Sequence, residues 1–290
     1  MVPLATELRC RQIEVTDIDQ VVSLLARGFP AHNRAFWRGA FAQLKRHEPP
    51  TGLPKYGYLL QSNGAAVGAI LLICSAMRSS DAIATRCNLS SWYVEPAFRA
   101  YAPMLVSQAL RHKDVTYLNV SSAPHTRPII EAQGFSRYSD GIFIAMPMLN
   151  GLFGGRKVEV FDATREPAVD FDPFDRDMLV QHAEHGCISL WCATAERAYP
   201  FIFRSRLVRG FIPCAQLIYC RDVSDFVRFA GPIGRLLARR GNPLVIVDAN
   251  GRIPHLVGLF SRGNMPKYFK GPQRPRIGDL AYTEHAVLGV

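Results

Sequence analysis

Asn88, Ser90, Ser91 and Trp92 put four hydrogen-bonding side chains on five consecutive positions, directly before the segment VEPAFRAYAPM at 94–104. Such groups can orient a substrate or hold a water; they can equally be hydrogen-bonding residues of a core. The segment after them changes character abruptly. Pro96 has no N–H for a strand ladder, and Pro103 suits a first helical turn. A loop over 95–104 that opens a helix presents backbone N–H groups at the positive end of a helix dipole, which is chemistry for an anion. The plainer reading of the same loop is an ordinary strand–helix turn. A second polar group, Asn119, Ser121 and Ser122, closes the next apolar segment. There serine could also cap a helix beginning near Pro124.

Other constellations point less clearly to chemistry. His182 and His185 flank Glu184 at a spacing that could share a helix face, but H-E-x-x-H is missing and solvent-facing imidazoles are expected; no metal is expected. No G-x-S-x-G elbow occurs. Cys10, Cys74, Cys87, Cys187, Cys192, Cys214 and Cys220 include no C-x-x-C pair, and most lie in apolar segments. Reduced core cysteines are expected, and neither Cys187 nor Cys192 reads as a nucleophile. The stretch NMPKYFKGPQRPRIGD at 264–279 is basic and proline-rich. It reads as a solvated loop, or as a cover over an acidic or phosphate-bearing ligand.

The formal net charge of +10 suits nucleic acid, an anionic membrane surface or a phosphate-rich ligand. The basic residues are scattered, with Arg204, Arg206 and Arg209, then Arg235, Arg239 and Arg240, then 267–276 as the densest groups. No nucleic-acid-binding module is visible, which argues against that partner. The longest apolar run, 65–74, is too short to span a bilayer and the N-terminus does not resemble a signal peptide, so no membrane span and a cytoplasmic protein are expected.

The elements that must position these groups follow from periodicity. A strand over 9–15 leads to a helix over 17–26 capped by Thr16, and a second helix contains Phe36, Trp37, Ala40, Phe41 and Leu44 after Asn33 as cap. Strands over 56–61 and 65–75 flank Asn63-Gly64, a strong hairpin signal. A strand over 83–94, a helix to about 111, a strand over 115–121, a helix over 126–133 and a strand over 141–148 complete the first half. NGLFGGR at 150–156 reads as a linker. The second half repeats part of the order: strand 158–161, helix 174–185, strands 188–193, 199–208 and 214–220, helix 223–240, strand 244–247, and last strands over 255–261 and 278–283. Hairpins followed by a βαβ step describe an α/β protein with a mixed sheet flanked by helices.

V-E-P-A-F-R at 94–99, the strand Tyr117-Leu118-Asn119-Val120 and I-E-A-Q-G-F at 130–135 together resemble the GNAT superfamily of acyl-CoA-dependent N-acyltransferases, over about residues 9–148. The resemblance implies two similar GNAT-like lobes, 1–149 binding acyl-CoA and 157–290 a degenerate copy. It implies acyl-CoA or acetyl-CoA as co-substrate, with pyrophosphate on the backbone of the loop R/Q-x-x-G-x-G/A. Trp92, Tyr93, Val94, Arg99, Ala100, Tyr101, Ala102, Pro103 and Met104 fall in that cofactor region. Arg99 matches; the small residues of the motif fall at Ala102 and Met104. The family's frequent glutamate base falls at Asn88 and its tyrosine acid at Ile130, so neither usual group is present. Asn88, Ser90, Asn119 and Ser121 remain as candidate catalytic residues, with Asn88 or Ser90 holding a water. The acceptor would be a small-molecule amine or hydroxyl, or a protein amine. The other expectation is a catalytically degenerate GNAT-like binding or regulatory protein.

Overall fold

The computed structural model describes residues 7–79, 82–150, 158–208 and 210–289. By contacts the chain forms two units: Met1–Val120 with Phe269–Arg274 and Tyr282–Leu288, and Ser121–Tyr268 with Pro275–Ala281 and Gly289–Val290. The glycine-rich stretch read as a linker lies almost wholly outside the described residues.

The first unit contains β1 (Leu8–Gln12), α1 (Ile18–Gly28), α2 (Arg34–Arg46), β2 (Gly57–Ser62), β3 (Ala65–Ser79), β4 (Ala82–Val94), α3 (Ala102–Ala109) and β5 (Thr116–Asn119). Its strands lie in the order β1-β2-β3-β4-β5. They pair antiparallel up to β4, and β4 and β5 are parallel. Asn63 and Gly64 close the β2–β3 hairpin, both with positive φ, the left-handed conformation that this turn needs. Thr16 does not cap α1. Glu14 and Asp17 cap each other across the preceding turn, and buried Asp17 takes Arg11 on both oxygens at 2.6 and 2.7 Å. Asn33 does cap α2, accepting from Phe36 N at 2.9 Å. Gly28 is required by packing: a Cβ there would lie 2.3 Å from the Tyr93 ring.

The second unit contains α4 (Arg127–Ala132), β6 (Ser136–Ala145), β7 (Glu159–Asp162), α5 (Pro173–Glu184), β8 (Ile188–Ala193), β9 (Ala198–Val208), β10 (Ile212–Cys220), α6 (Val223–Arg239), β11 (Leu244–Ala249) and β12 (Gly258–Lys270), which runs two residues past it. Its strand order is β12-β6-β11-β10-β9-β8-β7. Asp172 and Asp222 cap α5 and α6 by accepting from Phe174 N and Ser224 N. Phe226, Phe229, Ile233 and Leu237 of α6 recur at helical spacing and bury against Phe201 and Phe203 of β9. The expected echo of the first half is present: a three-strand meander (β8-β9-β10), a helix, and a strand, β11, parallel to the last of the three. A short final helix, α7 (Glu284–Val287), is fully buried in the first unit.

Three expectations are corrected. Cys74 and Cys87 are not reduced: they are directly opposed in the β3–β4 ladder and form a disulfide, because antiparallel register brings their Cα atoms to 4.0 Å. The stretch 264–279 is not a loop throughout: β12 extends to Lys270 with the Lys267 side chain fully buried, and the loop begins only after it, exposed over 271–274. The final strand expected over 278–283 is reduced to a single bridge between Asp279 and Tyr219.

Lys267 lies 3.7 Å from buried Asp248. Burial pushes the Asp248 carboxyl up while Lys267 holds it down. Removing one member of such a pair leaves a buried charge uncompensated. Asp248→Asn is expected to lower unfolding free energy by about 3–5 kcal/mol, whereas Asp248→Leu with Lys267→Met should recover most of it; chemical denaturation of both variants measures the difference.

Candidate active site

In the first unit β4 and β5 pair over only three residues, Arg86–Thr116, Cys87–Tyr117 and Asn88–Leu118. β4 then runs on to Val94 while β5 stops at Asn119, so the two strands part after Asn88. Shortly beyond the fork, Ser91 and Trp92 together oppose the single residue Ile70. This is a β-bulge, and Ser91 takes a positive φ there. A bulge bends the strand away and re-aims its backbone groups.

Asn88 holds the fork. Its Nδ2 donates to Leu89 O at 2.9 Å and to Leu118 O at 3.3 Å, and its Oδ1 accepts from Glu284 N at 2.6 Å. Both amide hydrogens are therefore committed to protein, which leaves the amide no proton for a water. Ser90 Oγ donates to Glu284 Oε2 and lies 3.0 Å from Ser91 Oγ. Ser90, Asn88 and Glu284 are all buried. Arg86 shares their side of β4 by strand alternation, and Ser75, its partner on β3, is 3.1 Å from His47 Nε2. This buried polar face is unusual for a sheet covered by helices. Glu284 was not among the candidates from sequence. It lies 194 residues from Ser90 and belongs to no recognisable motif.

The loop toward α3 is more closed than expected. Residues Pro96–Tyr101 form a 3-10 turn that runs directly into α3. Phe98 N is bonded to Glu95 O and Ala102 N to Arg99 O, and Pro103 has no N–H. Ala100, Tyr101 and Met104 are exposed, as is Arg99, and Val94 is buried. Tyr93 packs on Gly28 and Phe29, while the buried Trp92 Nε1 has no hydrogen-bond partner among the described residues. Asn119 ends β5, half-buried; Ser121 is exposed. Serine does not cap the next turn: Ala123 precedes Pro124 there, and Thr126 bonds back to Ala123 O. Ile130, at the position of the absent tyrosine, is a core residue.

The second unit repeats the fork with a different content. β10 and β11 also pair over three residues, Cys214–Leu244 to Gln216–Ile246, and β10 is irregular between Leu217 and Tyr219. There the chain's own segment 276–280 lies along β10. Leu280 N donates to Ile218 O at 2.7 Å, Cys220 N donates to Gly278 O at 3.0 Å, and Arg276 donates to Cys220 O. Gly278 has a positive φ and a Cβ on it would meet Cys220 Sγ at 2.8 Å, so only glycine fits this approach.

The remaining candidates are structural. His182 and His185 are buried rather than solvent-facing, and His182 Nδ1 lies 2.8 Å from Met178 O. Among the described residues no group of His, Cys, Asp or Glu could hold a metal. Burial pushes the Cys187 thiol up to about 11 and that of Cys192 to about 12, which keeps both protonated and unreactive. The basic clusters are largely bound within the protein: Arg204 on His185 O, Arg206 on Gln216, Arg240 on Asp162. No helix of the described residues is long and apolar enough to cross a membrane.

No family model and no curated protein sequence matches the chain. Solved structures do. A putative acetyltransferase from Pyrococcus horikoshii superposes with a TM-score of 0.55 at 12% identity, covering 96% of this chain and 92% of that one. A GCN5-related N-acetyltransferase from Anabaena variabilis gives 0.58 at 10% identity, over 95% and 74%. Eis1 from Mycobacterium abscessus gives 0.52 at 10% identity, over 91% and 73%. The chain has the fold of the GCN5-related N-acetyltransferases, the GNAT fold expected from its motifs.

His47 supplies a test of the polar face. Burial lowers its pKa from the usual 6.5, partly offset by the bond to Cys74 O. A folded value below the unfolded one makes its contribution to stability complete above about pH 6.5 and progressively lost as pH falls toward the lowered value. The thermal midpoint should therefore drop between about pH 7 and about pH 5, and His47→Gln should flatten that slope; calorimetric scans across this range measure both.

Proposed function

We propose that the chain is an acyltransferase that moves an acetyl or other acyl group from acyl-CoA to an amine or, less often, a hydroxyl, with the co-substrate on the first unit. The observation that carries this reading is the fork: β4 and β5 separate after Asn88, whose amide takes Leu89 O, which leaves the backbone edge from Ser90 to Val94 for an amide-bearing arm to join. The bulge at Ser91–Trp92 lies on that edge, where re-aimed N–H groups would polarise a thioester carbonyl. The acyl carbon would sit near Ser90, and the acceptor would attack it directly. Holding the two reactants in line accounts for much of the acceleration without a covalent enzyme intermediate. A small-molecule amine and a protein amine are both compatible with this chemistry.

Phosphate attraction would rest heavily on Arg99. The N–H groups of Phe98 and Ala102 are already bonded and Pro103 has none, so an exposed guanidinium supplies what the backbone does not. Binding carried by an exposed charge is screened by salt. Only one co-substrate per chain is expected, because segment 276–280 already lies along the matching strand of the second unit.

A second reading, acyl-CoA binding without turnover, is favoured by one observation: the positions of the usual acid and base are a core isoleucine, Ile130, and an asparagine whose amide is committed. Release of coenzyme A above buffer hydrolysis across a panel of amines excludes it.

Isothermal titration with acetyl-CoA should give one site per chain, weakened about tenfold by Arg99→Ala and by raising salt. Absence of heat at millimolar ligand overturns the co-substrate assignment.

A further inference from the structure

Glu284 places a carboxylate on the buried polar face of β4. Its residue is 2% exposed. Its backbone N–H is fixed by Asn88, the residue that holds the strand fork, and its Oε2 accepts the hydroxyl proton of Ser90, one residue before the bulge. The helix that carries it is the short α7, whose four residues are all buried. A buried carboxylate is costly unless it is hydrogen-bonded, and an apolar side chain in its place would remove that cost. Retaining an acid at the end of a serine hydroxyl, beside the point where the acyl carbon is proposed to lie, is the arrangement of a proton relay.

We propose that Ser90 and Glu284 together take up the proton released when the acceptor amine attacks the thioester, Ser90 touching the amine and Glu284 acting through it. This deepens the acyltransfer reading and rests on it. The balance is complete within the reaction. The amine nitrogen forms its bond to the acyl carbon and the C–S bond breaks, with the electron pair leaving on sulfur. The nitrogen loses one proton to Ser90 Oγ as the hydroxyl proton moves to Glu284 Oε2. The proton then returns through Ser90 to the departing thiolate, so both residues finish in the state in which they began. The carboxylate is thus supplied from the far end of the chain, at the strand where Asn88 cannot take a proton.

Asn88 and Ser90 bond to Glu284, and the titratable and charged groups around it include Arg86 on the same side of β4, His47 at the end of α2 and His285 within α7. An imidazole is the competing acceptor, so the test separates the two. Steady-state acetyl transfer from acetyl-CoA to an amine turned over by the wild-type chain is measured against pH, alongside titration of acetyl-CoA. Glu284→Gln should lower kcat about a hundredfold or more, leave the dissociation constant of acetyl-CoA within about twofold, and abolish the acidic limb of the pH–rate profile. His47→Gln should leave that limb in place. Ser90→Ala, which deletes one hydroxyl and no charge, should reproduce the loss of kcat if Glu284→Gln fails to fold. A wild-type chain that turns over while Glu284→Gln and Ser90→Ala match it overturns the relay alone. A wild-type chain that binds no acetyl-CoA or turns over no amine overturns the acyltransfer reading and the relay with it.

Discussion

The separation of β4 from β5 is the constraint on which the first unit depends. Parallel strands gain by pairing along their whole length, and here pairing ends after three residues. The backbone groups beyond must then find other partners or cost free energy when buried. Asn88 meets part of that demand, bridging Leu89 O and Leu118 O across the opening. The bulge at Ser91–Trp92 bends β4 further from its neighbour, and positive φ at Ser91 is the local strain that accompanies it. Everything proposed for co-substrate and acceptor follows from this opening.

The second unit solves the same problem in the opposite way. Its fork is also three residues long, but the chain fills it with its own backbone. Gly278 is the enabling residue, since a Cβ would collide with Cys220. A strand edge paired in cis is closed to a ligand. One architecture, repeated, thus yields one fork braced by an asparagine and a bulge and one whose edge is paired within the chain itself.

Charge follows a similar pattern. A net charge of +10 suggests a basic surface, yet many of the clustered arginines are bound to carbonyls, amides or carboxylates of the protein itself. Lys267 and Asp248 are buried as a pair. The Cys74–Cys87 bridge ties β3 to β4 on the paired side of the bulge. Polar groups here mostly hold strands together, and the polar face beneath α2 and α7 gathers Asn88, Ser90 and Glu284 into one bonded group.

Periodicity alone located most elements. The apolar spacing of Phe36 to Leu44 and of Phe226 to Leu237, the cap Asn33 and the Asn63-Gly64 turn are local signals, decided by interactions within a few residues. The motifs 94–99 and 130–135, with the strand Tyr117-Leu118-Asn119-Val120 in register between them, likewise pointed to the fold. Long-range pairing was not legible. That Cys74 meets Cys87, that 264–270 is strand rather than loop, and that 276–280 lies on β10 depend on register between distant segments. The candidate site divides along the same line. Asn88 and Ser90 could be singled out from their strand, but their bonding could not, because the residue that bonds to both is Glu284, 194 positions from Ser90. Sequence determined which segments form strands, helices and turns, since those follow from neighbouring residues; only the tertiary structure decided which fork stays open and which acid stands beneath it, since both require segments far apart in the chain to meet.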